Sequence, residues 1–168
     1  MSQNLKTIAD FLLRDMEGEV ALTKSVFAAV PADRLDYTPD AKSKTALGLL
    51  RHITLEDEWL LNAVADGALA GGAPPDDSDE CGVMCPNDAV ARYDERIPAA
   101  MARVRALSDD ELGREIDIMG KFKLSAIGLL SMAVRHSVHH RGQLSTYLRP
   151  MGGKVPGIYG PTADLPWS

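Results

Sequence analysis

No stretch of this sequence is both long and apolar enough to cross a bilayer. The first residues, Met1 to Leu13, interleave Asn4, Lys6 and Asp10 with apolar side chains, so the unbroken apolar centre of a secretory signal is missing too. A membrane partner is therefore not expected, and the cytoplasm is the expected location. Basic charge is scarce as well, with 18 Lys and Arg against 24 Asp and Glu and a formal net charge of -6. Without a broad positive field to grip phosphates, nucleic acid is not an expected partner, and the acidity reads as a solvated surface. Cysteine is scarcer still. Cys81 and Cys85, in Cys-Gly-Val-Met-Cys, could close a small disulfide loop, ligate a metal or do neither. With no second pair to complete a zinc site of the usual kind, neither is the expectation. Internal repeats and low-complexity runs are also lacking. What remains is 168 residues, 45% hydrophobic and 25% charged, the usage of one soluble globular domain spanning residues 1–168 around a single core.

Four stretches carry helical periodicity, so the expected fold class is all-α. From Leu5, the residues Ile8, Leu12, Met16 and Val20 recur three or four apart, and the segment around Pro31 ends that helix. A second helix is expected from Ser43–Thr45 to about Asp66, with Leu49, Ile53, Leu60 and Val64 on one face and Gly67 as its stop. Gly, Pro and Asp crowd the next stretch, Gly71 to Pro86, which predicts an exposed connection. Asn87 or Asp88 then caps a third helix ending near Ser108, bent or divided by Pro98. Between Ser108 and Lys123 the pattern mixes a helical turn with alternation from Glu115 to Met119, and Gly120 marks a turn, so a small hairpin at most is expected. The last helix runs from about Ser125 to Leu148 with a narrow polar stripe of Ser131, Arg135, Gly142 and Arg149, which makes it the expected most buried helix. Pro150 and Gly152 stop it, and the tail through Tyr159, Pro161 and Trp167 is expected to pack back over the other helices.

The histidines are the informative anomaly. All four lie in two helices: His52 in the second, and His136, His139 and His140 in the last. On a helical wheel His52 and Glu56 fall within roughly 60° of Leu49, so two polar side chains share an inward face. Asp57, at the edge of that face, is the replacement candidate if the wheel is off by one residue. His136 and His140 stand four apart, which projects both rings from one helix face one turn apart, the spacing that lets two imidazoles reach one ion. Leu129, Met132, Ala133, Gln143 and Tyr147 share the face, so the rings are partly desolvated and stay neutral, with lone pairs free for a metal. Met132 and Tyr147 read first as core packing. The wheel alone leaves His139 and His140 as rivals for the last ligand position. Ser137 stands where His-Glu-x-x-His would place its glutamate, so zinc-peptidase chemistry is excluded.

Four segments carry a resemblance: Leu50-Arg-His-Ile-Thr-Leu-Glu-Asp-Glu-Trp, Gly120-Lys-Phe-Lys-Leu-Ser, His136-Ser-Val-His-His-Arg-Gly-Gln-Leu and Gly152-Gly-Lys-Val-Pro. Together they resemble the DinB-like (damage-inducible) family, and His-His-Arg-Gly-Gln is the most specific piece. The resemblance covers nearly the whole chain. It implies an up-down-down-up four-helix bundle, a homodimer, and a divalent metal held by His52, His136 and His140, with His139 beside the ligands rather than among them. It also implies kinship with transferases that use mycothiol, bacillithiol or glutathione. In the mycothiol-dependent maleylpyruvate isomerase branch a glutamate occupies the place of His136, so the resemblance is to the three-histidine branch.

Three neutral imidazoles leave at least one metal position open for water or a thiol. The leading expectation is a metal-dependent transferase that activates a small thiol for attack on an electrophile, with Glu56 orienting His52 or relaying a proton, and Gln143 and Tyr147 lining the pocket. Metal-dependent hydrolysis needs the same open site and is the second expectation. The third is an inert, stress-related metal-binding dimer. Imidazole ligation places zinc and nickel foremost and admits iron, cobalt or copper.

Overall fold

The structure, a computed structural model, describes residues 4–166. Helix α1 spans Leu5–Ala28 and is capped by the Asn4 side chain, which accepts from the Thr7 amide. Its buried seam runs through Ala9, Leu13, Met16, Thr23, Val26 and Phe27, whereas Ile8 is 48% exposed. The predicted stripe through Ile8, Leu12 and Val20 is thus rotated by about one residue. Both stripes are apolar, and only contact with two neighbouring helices chooses between them.

Helix α2, Ala46–Asp66, keeps its predicted bounds because both ends carry strong local signals. Thr45 Oγ1 accepts from the Gly48 amide at 3.0 Å. At the other end Gly67 takes a left-handed conformation, φ 72°, and its amide bonds the Ala63 carbonyl. A Cβ there would also lie 2.2 Å from Arg114 Nε. That arginine donates to the Val64 and Ala65 carbonyls, placing a cation on the negative end of the helix.

Helix α3, Pro86–Arg105, begins slightly earlier than predicted, with Cys85 as its flanking residue and Pro86 in its first turn, where a missing N–H costs nothing. Pro98 lies inside it without dividing it. The proline is exposed, on a face where water can stand in for the helical bond it removes. A short helix α4, Asp109–Gly113, has a reciprocal Ser108–Glu111 cap. Strands β1, Glu115–Ile118, and β2, Phe122–Ser125, pair antiparallel with Glu115 opposite Ser125 and Ile118 opposite Phe122. Helix α5 follows directly as Ala126–Leu148.

The four long helices form a bundle in which α1 and α2 each pack on α3 and α5. Cross-helix contacts give the directions. Glu58 pairs with Arg92 and Asp66 with Arg103, so α2 and α3 run parallel. Lys24 pairs with Asp94 and Glu17 with Arg105, so α1 and α3 are antiparallel. Tyr147 bonds the Lys44 carbonyl while His140 meets His52, so α2 and α5 are antiparallel. The order is up-down-down-up, and the parallel pair α2–α3 requires the long connection between them.

That connection is not merely an exposed loop. Cys81 and Val83 are buried against α2, and Arg51 donates to the Val83 carbonyl. With this cover α2, not α5, has the more continuous buried surface, which corrects the expectation for the last helix. The tail does pack back: the Tyr159 hydroxyl lies between Glu19 of α1 and Arg141 of α5. Trp167 lies outside the described residues. Among the described residues no helix is long and apolar enough to cross a membrane.

Candidate metal centre

The centre forms where α2 and α5 cross. His52 comes from the second turn of α2, and His136 and His140 come from successive turns of α5. One ligand nitrogen from each lies within 4.8 Å of the others, and all three rings are half-buried. His139 is exposed and outside this group, although its ring packs edge-on against His140 at 4.8 Å between centroids. Both cysteines are free thiols outside the group.

The outward nitrogens decide what the inward ones can do. His52 Nδ1 lies 2.7 Å from Asp76 Oδ2, and His140 Nδ1 lies 2.6 Å from Gln143 Oε1. Both oxygens are acceptors, so each Nδ1 carries the hydrogen and each Nε2 keeps a lone pair. Those two Nε2 atoms face one another at 3.2 Å. Two lone pairs at this distance repel unless a proton or a cation lies between them. Protons are disfavoured: burial lowers the pKa of His52 against the pull of Asp76, and burial lowers that of His140 to about 4 against its bond to Gln143. A metal ion suits the geometry, because bonds of about 2.0–2.1 Å at a tetrahedral angle set neighbouring nitrogens roughly 3.3–3.4 Å apart.

The residue that orients His52 is Asp76, from the Pro-rich connection, and not Glu56. Lys44 Nζ, 3.0 Å from the same carboxylate oxygen, holds Asp76 in place. No sequence signal marks Asp76, one of several acidic residues in a Gly- and Pro-rich stretch. Glu56 is half-buried and makes no side-chain hydrogen bond among the described residues. Burial raises its carboxyl above the usual range, opposed by the nearby His136. Its neighbour Asp57 is completely buried. The Tyr93 hydroxyl donates to Asp57 Oδ2, while Asp57 Oδ1 and His136 Nδ1 lie 3.7 Å apart and both lack a hydrogen-bond partner among the described residues.

A cavity of about 260 Å³ opens beside His140, lined by Lys42, Ser43, Lys44, Leu49, Gln143 and Tyr147. Gln143 therefore both lines the pocket and orients His140, and Tyr147 lines it while anchoring to the Lys44 carbonyl. A larger cleft of about 490 Å³ lies on the α2–α3 flank around Trp59, Arg92 and Arg103 and touches none of the histidines.

Known proteins share this architecture. The uncharacterized protein YjoA of Bacillus subtilis is 28% identical over 155 residues, covering 90% of this chain and 93% of its own. Its crystal structure superposes with a TM-score of 0.66 at 22% identity over 86% of this chain and 95% of that one. A DinB-like protein from Bacillus cereus gives a TM-score of 0.73 at 21% identity, covering 88% of this chain and 95% of that one. YfiT from Bacillus subtilis, described as a probable metal-dependent hydrolase with an unusual four-helix bundle topology, gives 0.70 at 17% identity, covering 87% and 89%. The profile of the DinB family itself runs through residues 1–166, hairpin, histidine helix and tail included, and the chain belongs to that family.

Proposed function

We propose that the protein is a metal-dependent hydrolase whose ion is held by His52, His136 and His140. The observation that carries this reading is the facing pair of Nε2 lone pairs 3.2 Å apart, each imidazole pinned from behind by an oxygen. An all-imidazole set suits zinc or nickel. Bound there, a divalent ion supplies Lewis acidity and lowers the pKa of water toward neutrality. The chain supplies the rest. Asp76 and Gln143 keep two imidazoles in the ligating tautomer. Glu56 accepts the proton released by the attacking water and returns it to the leaving group, and its raised pKa brings it closer to neutrality, where such exchange is efficient. The cavity admits a small substrate, with Lys42 and Lys44 at hand for a negative group. The description of YfiT as a probable metal-dependent hydrolase supports the same class.

The lysines of the cavity also favour a second reading, thiol transfer, because they would seat the carboxylate of a small thiol beside the ion. Here Glu56 takes the thiol proton, sulfur bonds to the electrophile, and the leaving group departs with its electron pair. Metal-loaded protein incubated with an ester and amide panel, and separately with low-molecular-weight thiols plus an electrophile, separates the two. Hydrolysis that is lost on chelation supports the first reading and thiol-dependent conjugation the second. No turnover in either arm overturns both and leaves a non-catalytic metal-binding protein. Ligand identity is tested by elemental analysis of protein purified without a nickel column. His52→Ala, His136→Ala and His140→Ala should lose the metal and His139→Ala retain it. Full occupancy after His52→Ala or His140→Ala overturns the site.

A further inference from the structure

We infer that Asp57, held by Tyr93, is the positioning residue for His136, accepting its Nδ1–H so that Nε2 is presented to the metal. The inference rests on the metal-centre reading. Three observations carry it. First, two of the three histidines have an oxygen behind the ring, Asp76 for His52 and Gln143 for His140, while His136 has none within hydrogen-bond distance among the described residues. Second, the atom facing His136 Nδ1 is Asp57 Oδ1, 3.7 Å away and equally without a partner. A buried donor and a buried acceptor left unmade are each costly, and a small ring rotation joins them. Third, Asp57 is fully buried, yet among the described residues the one side-chain hydrogen bond it makes is from Tyr93. A carboxylate with a single donor is an expensive way to anchor a tyrosine. As the carboxylate behind a metal-bound histidine, its burial has a purpose.

The rest of the bundle braces this arrangement. Tyr93, from α3, is 1% exposed, and burial first, then the negative charge of Asp57, push its pKa well above the usual 10, so its hydroxyl stays a donor. Ser137 Oγ, next to His136 on α5, lies 3.3 Å from the same hydroxyl. Asp57 itself stands five residues after His52 on α2, so one helix supplies a ligand directly and orients a second across the interface.

The test is metal affinity and tautomer together, in wild type, Asp57→Ala, Asp57→Asn and Tyr93→Phe. Affinity for zinc is read by competition with a chromophoric chelator, and the protonated nitrogen of His136 by nitrogen-15 NMR of the metal-free protein. Expected are a drop in affinity of about tenfold to a hundredfold in Asp57→Ala, a smaller drop in Asp57→Asn, which keeps an acceptor oxygen, and a hydrogen on Nδ1 of His136 in wild type. Tyr93→Phe leaves Asp57 free to turn and should lower affinity less than Asp57→Ala. Asp57→Ala with wild-type affinity, or a hydrogen on Nε2 of His136 in metal-free wild type, overturns the inference. If wild type binds no zinc, the metal-centre reading fails by itself, and the tautomer still decides the Asp57 pairing. If Asp57→Ala does not fold, the wild-type tautomer alone carries the test, and a hydrogen on Nε2 of His136 overturns the inference.

Discussion

His140 shows how one residue combines sequence and environment. Its place one turn after His136 is a matter of spacing, but its neutrality comes from burial, which lowers its pKa to about 4. The free imidazole titrates at 6.5. Between these values the unfolded chain binds a proton that the folded chain rejects, so stability of the metal-free protein is complete above 6.5 and is lost as pH falls toward 4. His52, lowered in the same direction, adds to the effect. Thermal melts of chelator-treated protein across that window should show the decline, and a flat profile would contradict a buried neutral pair. Asp76 makes the second prediction at this scale. Asp76→Ala removes the oxygen behind His52 and should weaken metal affinity by about tenfold to a hundredfold, with little change for Asp77→Ala, whose side chain is 90% exposed. The histidines were legible because polar rings at helical spacing on an apolar face are anomalous. Asp76 was not, since its partner His52 lies twenty-four residues away and nothing local distinguishes it from Asp77 or Asp79.

At the scale of elements, ends were legible and faces were not. Thr45 and Gly67 bracket α2 by local chemistry alone, a side-chain cap and a left-handed stop. Gly67→Ala should cost about 1–2 kcal/mol for the left-handed backbone alone, and more because Arg114 must leave the carbonyls it caps. Urea denaturation measures the loss, which Arg114→Ala in the same background should partly relieve. The predicted α1 stripe through Ile8 was displaced, because Ala9 and Leu13 are as apolar as Ile8 and Leu12 and the choice falls to the packing of α3 and α5. Pro98 was expected to bend or divide α3, and the helix runs through it undivided with the proline on a solvent face. Glu56 and Asp57 make the same point within α2. A wheel places both near the inward face, and only the fold buries the second and leaves the first beside the site.

For the whole molecule, the three-histidine group joins α2 to α5, and Asp76 ties the long connection to it. Ion binding should therefore stabilise the entire bundle, by about 2.7 kcal/mol when free zinc is a hundredfold above its dissociation constant. Calorimetry with zinc and with chelator checks this, and equal melting temperatures would count against the site. A second tie lies elsewhere. Arg141, 1% exposed, pairs with Glu19 and meets Tyr159, so α1, α5 and the tail converge on one guanidinium. Arg141→Ala leaves Glu19 buried without its cation and should cost about 3–5 kcal/mol in chemical denaturation, while zinc affinity stays near wild type.

The sequence by itself determined the long helices, the cap and stop of α2, the hairpin before α5 and the one-turn spacing of His136 and His140, because each of these depends on residues within a few turns of one another. Tertiary structure alone decided which flank of α1 is buried, that His52 meets His136 and His140, that Asp76 stands behind His52, and that Asp57 rather than Glu56 enters the core. These follow from which helices lie side by side and in which direction, and that is settled by the packing of the whole chain, where distant residues meet without any local signal to announce them.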